Sequence, residues 1–320
     1  MIRTVLCDLL DIDYPIIQAG MGNLTSASLA AAVSNAGALG SIGNLLRPPD
    51  DLGRQLDMLR DLTSRPYALN HTVPTLNEES FRISLEARPK LMSFALAEPG
   101  QYVKRAHDAG ILVMTQVTTV PEAMEAAEQG ADIIVAQGGE SGGYGGYIST
   151  ITLVPQVVDA VRPVPVVAAG GIYDGRGLAA ALMLGAVGVN VGTRFLASIE
   201  ASVPDAFRDV IKKAASQDAV KFRALNEILP EIVAGGYDVS LRAVRSPFIE
   251  EWESKPEEAG LKREALRHTL FEAASAGRVH DLLTTAGQSS GGIEDVLPAA
   301  EIVRQVVAEA ERALASAALR

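Results

Sequence analysis

Short apolar runs alternate with longer stretches in which apolar positions recur every three or four residues, from residue 15 to about residue 195. The short runs are PIIQAGM (15–21), LGSIGN (39–44), YALNHTV (67–73), LMSFAL (91–96), ILVMTQV (111–117), DIIVAQG (132–138), VPVVAAGG (164–171) and VGVNVGTRF (187–195). Each predicts a strand buried on both faces, because such strands read as continuous apolar runs. Helices are expected between them. One covers 25–37, with Thr25 or Ser26 as its cap and Gly37 past its end; another covers 48–64, with Leu52, Leu56, Leu59 and Leu62 at helical spacing. Further helical stretches are 77–88, 100–108, 121–129 (opening on Pro121), 153–161 and 176–184.

Strands alternating with helices imply a parallel sheet, and eight such units close a (β/α)8 TIM barrel. An open doubly wound sheet is the competing arrangement. The barrel is preferred because glycine or a polar residue ends nearly every strand, and barrel sites are built at those strand ends. Beyond residue 198 the pattern changes to charge-dense stretches such as RDVIKK and FIEEWESKPEEAGLKREALRH, with helix signals and no convincing apolar strand. The expected organisation is a barrel over 1–199 and a helical cap insertion after strand eight over 200–286. A connector and C-terminal helix that returns to the barrel follow over 287–320.

Charge narrows the function classes. With 28 basic and 39 acidic residues in 320, the net charge is −11, which suits neither a nucleic-acid backbone reader nor an anionic membrane surface. No apolar stretch is long enough for a membrane span, and the N-terminus carries acids inside its apolar positions, so a secretory signal is not expected. One cysteine, Cys7, allows no internal disulfide and reads as a small core residue of a protein in the reducing cytoplasm. The four histidines have no metal-ligand spacing, so no metal is expected.

Three constellations carry chemistry. AAGGI (168–172) and VGTRF (191–195) end strands seven and eight, where barrels bind phosphate. Gly170, Gly171 and Gly192 would let backbone N–H groups approach phosphate oxygens without a Cβ in the way, and Thr193 would add a hydroxyl. AQGGESGGYGGY (136–147) holds six glycines in twelve residues, which predicts neither strand nor helix but a loop whose backbone moves or presses on a flat ligand. Third, amides stand at strand ends: Gln18, Asn70, Gln116 and Gln137. Neutral amides both donate and accept, as the edge of a heteroaromatic ring requires. His71 is the one histidine placed near the mouth. GMGNLT (20–25) begins like a dinucleotide fingerprint but lacks its third glycine, and no acid ends strand two. A flavin-free lyase or isomerase barrel would call for a lysine or paired carboxylates at strand ends, and none is evident. A non-catalytic flavin carrier is the remaining alternative.

PIIQAGM with SNAGALG, the asparagine of YALNHT, AQGGESGG, AAGGIYDGRGLAAALMLGA and VNVGTRFLAS, in this order over 15–198, resemble the nitronate monooxygenase (2-nitropropane dioxygenase) family and its relatives, the FMN-dependent enoyl-ACP reductases. The late GQSSG fits as well. The resemblance implies an oxidoreductase with FMN as cofactor. Its phosphate would sit on Gly170, Gly171, Gly192 and Thr193, and its ring near Gln18, Gly20, Met21, Asn70, Gln116, Gln137 and Gly142, with Gln288 approaching from the late segment. It implies oxidation of alkyl nitronates or similar small substrates with O2, or reduction of an enoyl thioester or other alkene by NAD(P)H. A homodimer stays open. One position departs from the family loop, which usually reads E-A/S-G-G-H with a proton-handling histidine; here Tyr144 follows ESGG. A phenol with an ordinary pKa near 10 is a poor base at neutral pH and a reasonable acid. Tyr144 is therefore the first candidate for the catalytic group and His71 the second.

Overall fold

The computed structural model describes residues 2–318. In chain order the strands are β1 (Ile16–Gln18), β2 (Gly40–Gly43), β3 (Tyr67–Thr72), β4 (Leu91–Ala95), β5 (Leu112–Val117), β6 (Ile133–Gln137), β7 (Gly143–Gly145), β8 (Val166–Ala169), β9 (Gly188–Val191), β10 (Ala219–Phe222) and β11 (Ser240–Val244). Eight of them pair in parallel in the order β1-β9-β8-β6-β5-β4-β3-β2. The two ends of that sheet meet: Gln18 N–H donates to Leu39 O at 2.8 Å and Leu39 N–H to Ile16 O at 2.9 Å. The sheet is thus a closed (β/α)8 barrel built from the eight apolar runs of the sequence. The eighth strand is shorter than its run. The chain leaves the extended conformation at Gly192, and Thr193–Leu196 form a single helical turn.

Seven helices follow seven strands, and their starts obey local capping chemistry. Ser26, Asn77, Thr119 and Asp174 each accept from the backbone N–H three residues on. The eighth helical position is filled by the last helix, Ala299–Ala318, which packs between the helices Gly175–Met183 and Ala27–Asn35. The approach is close: a Cβ on Gly175 would lie 2.3 Å from the Ala310 nitrogen, while Gly175 N–H donates to the Glu309 carboxylate at 3.0 Å. A helix at Val5–Leu10, too short to register as a periodicity, plugs the opposite end of the barrel. Leu6, Cys7 and Leu10 are buried there with Ile17, Leu39 and Met114.

Alternation along β3 decides the place of His71. Asn70 turns toward the barrel interior, whereas the ring of His71 packs outward, 5.6 Å from Phe81 and 6.0 Å from Phe94, with Nε2 3.1 Å from Ser84 Oγ. Burial pulls its pKa down to about 4. The expectation that His71 stands at the mouth is therefore corrected: a strand has a period of two, and its neighbour Asn70 occupies the inward position.

The chain after residue 200 contains helices (Asp205–Lys213, Ala224–Ile228, Pro247–Trp252, Pro256–Leu261 and Arg263–Ser275) but also β10 and β11, which pair with each other antiparallel. β11 pairs in turn with β7, from the glycine-rich loop of the barrel. Two expectations are corrected here: the inserted segment is not purely helical, and the glycine-rich loop does hold a strand. The reason is the same for both. Phe222, Leu241 and Tyr144 on one face alternate with Lys221, Arg242 and Gly143 on the other, in strands of three to five residues. Such strands carry no apolar run and form only because they find each other.

Two outcomes are expected. His71 is neutral when folded and carries a raised proton affinity only when unfolded. Its contribution to stability is thus complete above about pH 6.5 and is lost as pH falls toward 4, with a slope of up to about 1.4 kcal/mol per pH unit. Urea unfolding at pH 7 and pH 5 should show this, and His71→Leu should flatten the dependence; equal slopes in both proteins would refute it. Residues 200–286 expressed alone should be largely unfolded by circular dichroism, because β11 loses its partner β7; a cooperative thermal transition would count against this.

Candidate active site

A cavity of about 370 Å³ opens where the C-terminal ends of the barrel strands meet the inserted segment. Its floor is polar backbone and amide; its roof is apolar. Of the residues expected from sequence, Gly20, Met21, Asn70, Gln116, Gln137, Gly142, Tyr144, Gly170, Gly171, Gly192 and Thr193 all line it. Gln18 lies one layer deeper, fully buried. Its Oε1 accepts from Ser41 N–H at 2.9 Å and its Nε2 donates to Ala19 O, so it ties β1 to β2 and borders a small polar chamber beneath the cavity with Ser41, Asn70, Ser93 and Asn190. Gln288 does not reach the wall; Ser289 does. His71 is outside the barrel, as described above.

The floor is built by contacts between strand ends. Asn70 Nδ2 donates to Ser93 Oγ at 2.8 Å, and Gln116 Nε2 to Gln137 Oε1 at 3.1 Å. Gly20 lies flat against Asn70, where a Cβ would come within 2.3 Å of the asparagine Cβ. Asn190 adds a further amide whose buried Oδ1 has no partner among the described residues. It was missed in sequence although the signal, one polar residue inside an apolar strand, is the one that marked Asn70 and Gln137.

At one side of the floor, Gly170 and Gly171 have φ of +102° and +74°, a left-handed conformation that glycine adopts without strain. The N–H groups of Gly171 and Gly192 have no backbone partner among the described residues. They face a cavity, so they are free donors for an anion. Thr193 Oγ1 accepts from Gly287 N–H at 2.9 Å, which leaves its own hydrogen to donate. The loop ends are cross-tied: the Glu140 carboxylate accepts from Thr150 N–H and Oγ1, both at 2.9 Å, and Thr150 Oγ1 also lies 2.9 Å from Gly170 O.

Tyr144 stands on β7 in the opposite wall, packed with Leu225 and Leu241. Its hydroxyl is buried and has no hydrogen-bond partner among the described residues. Burial, with a smaller contribution from the negative charge of Glu231, pushes its pKa further above the ordinary phenol value. The phenol is therefore neutral at any physiological pH and can donate. Among the described residues Glu231 is the only charged side chain lining the cavity, and it is paired with Arg267 at 2.9 Å. The rest of the roof includes Leu225, Leu229, Ile232, Leu270, Phe271 and Leu283. None of these residues was accessible to sequence reading, since each needs the packing of the insertion to place it. Among the described residues no group of three His, Cys, Asp or Glu could hold a metal ion, and no helix is long and apolar enough to cross a membrane.

The comparisons with known proteins agree with this geometry. The family model described as nitronate monooxygenase matches residues 3–82 and 77–309. A probable nitronate monooxygenase of Staphylococcus aureus is 33% identical over 293 residues, covering 77% of this chain and 79% of that protein. A (3aS,4S,5R,7aS)-5-hydroxy-7a-methyl-1-oxo-octahydro-1H-indene-4-carboxyl-CoA dehydrogenase of Mycobacterium tuberculosis is 39% identical over 211 residues. That match spans 65% of this chain and 59% of the relative's length. The solved structure of FabK from Thermotoga maritima superimposes with a TM-score of 0.88 at 33% identity, over 99% of this chain and 98% of that one. A barrel with free glycine amides after strands seven and eight, reached by a family model that spans nearly its whole length, places the chain in the nitronate monooxygenase family of flavin-dependent oxidoreductases.

Proposed function

We propose that the chain binds FMN at the barrel mouth and reduces a neutral, hydrophobic substrate whose alkene is conjugated to a thioester or ketone, with NAD(P)H as electron donor. The observation that carries this reading is the buried hydroxyl of Tyr144, without a partner among the described residues, in a largely apolar wall. The donor set fits the cofactor. Gly170, Gly171, Gly192 and Thr193 offer N–H and O–H donors to one phosphate, and Gly20, Met21, Asn70, Gln116, Gln137 and Gly142 form a flat, amide-edged floor for a ring. One phosphate site without a dinucleotide fingerprint favours FMN over FAD. When bound, FMN supplies a centre that accepts and returns a hydride.

Everything else is done by the chain. The apolar roof removes water from the substrate and strengthens the few polar contacts left inside. Tyr144 holds a proton on its hydroxyl and presents it to a substrate oxygen or carbon on which charge develops; it cannot act as a base near neutral pH. Glu231 disfavours a second negative charge in the cavity.

A second reading, oxidation of a small nitronate with O2, is favoured by the family itself and by the staphylococcal relative. Its substrate is an anion, and among the described residues no cationic side chain lines the cavity to receive it. The reductase reading is preferred for that reason. The lone buried cysteine and acidic charge accord with a cytoplasmic protein.

The purified protein should be yellow with one FMN, and a preparation that stays colourless after incubation with FMN would sink the assignment. Gly171→Val forces a β-branched residue into a left-handed backbone and should abolish FMN binding; normal FMN content would move the phosphate elsewhere. Anaerobic stopped-flow reduction by NADH or NADPH, compared with an alkyl nitronate, separates the two readings. Tyr144→Phe should slow turnover by roughly 10² to 10⁴ with FMN content unchanged, the usual range for one proton-transfer group. Near-full activity would mean that Tyr144 only lines the cavity.

A further inference from the structure

The loop that carries Tyr144 is tied at its ends by Gly139 N–H on Ile148 O at 2.6 Å and by the Glu140 carboxylate on Thr150, and the rest of its hold comes from the inserted segment. Glycines occupy 138, 139, 142, 143, 145 and 146, so few side chains anchor its backbone, and glycine has the most conformational freedom to lose. Two of its carbonyls are taken by cations of the inserted segment. Lys221 Nζ donates to Gly145 O at 2.6 Å and to Ser240 O at 3.1 Å. Arg242 donates to Gly139 O from Nη2 at 2.7 Å and from Nε at 3.1 Å, and to Ala219 O from Nη1. The gripped carbonyls are therefore those of Gly139 and Gly145, on either side of Tyr144.

This arrangement is costly. Lys221 and Arg242 face each other directly across the β10–β11 ladder, and like charges in that position repel. Both are half-buried, and neither has a carboxylate within ion-pair distance among the described residues. The nearer acidic fields come from Asp238, which is paired with Arg223, and from Glu140, whose carboxylate is held by Thr150. Burial and the neighbouring guanidinium pull the Lys221 amine down to about 7. A sheet needed only as a wall would carry threonine or valine at both positions. The ring of Tyr147 offsets part of the charge, with Lys221 Nζ 5.5 Å and Arg223 Cζ 5.3 Å from its centroid.

We propose that Lys221 and Arg242 are positioning residues that act through the loop: they hold Gly139 O and Gly145 O so that Tyr144, on the opposite face of the same sheet, keeps its hydroxyl in the cavity wall. Docking of the inserted segment and placement of Tyr144 are then one event. The kinetic consequence rests on the role given to Tyr144 above; the structural grip does not.

Hydrogen exchange of the FMN-loaded full chain tests the grip without any substrate. Lys221→Met and Arg242→Met should each accelerate exchange of the amides of 139–147 about tenfold or more, with barrel-strand amides unchanged, and Lys221→Arg should restore protection. On a conjugated thioester or enone, kcat should fall about 10- to 100-fold in the methionine variants, with KM little changed and FMN content intact, since a group displaced by about 1 Å loses that much. Should either methionine variant fail to fold, Lys221→Gln or Arg242→Gln, whose shorter side chain draws the donor back from the loop carbonyl, replaces it in the same two measurements. Unchanged exchange at 139–147 in folded variants would overturn the grip. Faster exchange with unchanged kcat would overturn the positioning role. A wild-type protein inactive on every conjugated substrate would instead overturn the reductase reading, with the exchange result still deciding the grip.

Discussion

Closure of the eight-stranded sheet is the constraint on which the rest depends. It rests on the backbone of β1 meeting the residue just before β2 through two hydrogen bonds, reinforced by the Gln18 amide on Ser41 N–H. Once the sheet is closed, every second side chain must point inward, and the C-terminal ends of all eight strands converge on one small area. The polar residues that end those strands then have no choice but to share a floor. Asn70, Gln116, Gln137 and Asn190 belong to four different strands and come together for that reason alone.

Above the floor, three distant segments are tied into one wall. Glu140 of the glycine-rich loop holds Thr150, Thr150 reaches Gly170 O, and Gln288 N–H donates to Glu140 O at 2.9 Å. Gly142 and Gly287 touch so closely that a Cβ on Gly142 would lie 2.6 Å from the Gly287 nitrogen. These are buried hydrogen bonds among backbone groups that would otherwise be orphaned, which makes the wall intolerant of partial disruption. Gly170, Gly171 and Gly192, just past β8 and β9, stand beside this network at the edge of the cavity.

The electrostatics of the cavity separate it into two halves. The floor offers donors and acceptors of no net charge. The roof offers apolar surface, one neutral phenol and one carboxylate already engaged by Arg267. A neutral substrate loses little on entering such a space, whereas an anion gives up its hydration and gains no cation in return. The phenol at the tip of the ESGGY loop, its pKa raised by burial, carries no charge near neutral pH and leaves this wall neutral there.

The number and order of the barrel strands and the glycines that end β8 and β9 were determined by the sequence alone, because a buried parallel strand must be apolar throughout and its end must turn. VPVVAAGG and VNVGTRF show this at a glance, and so does the departure at Tyr144. Cys7 likewise reads as core and is core. Only the tertiary structure decided which of two adjacent polar residues faces inward, Asn70 rather than His71, because a period of two leaves the phase open. It also decided that Ser289 rather than Gln288 reaches the cavity, and that GYG becomes a strand by pairing with β11. The strands of the insertion were illegible for a physical reason. Each is a short strand with a charge on one face, so its stability comes from its partners, for β11 the loop strand β7 more than ninety residues away, and leaves no local pattern to read.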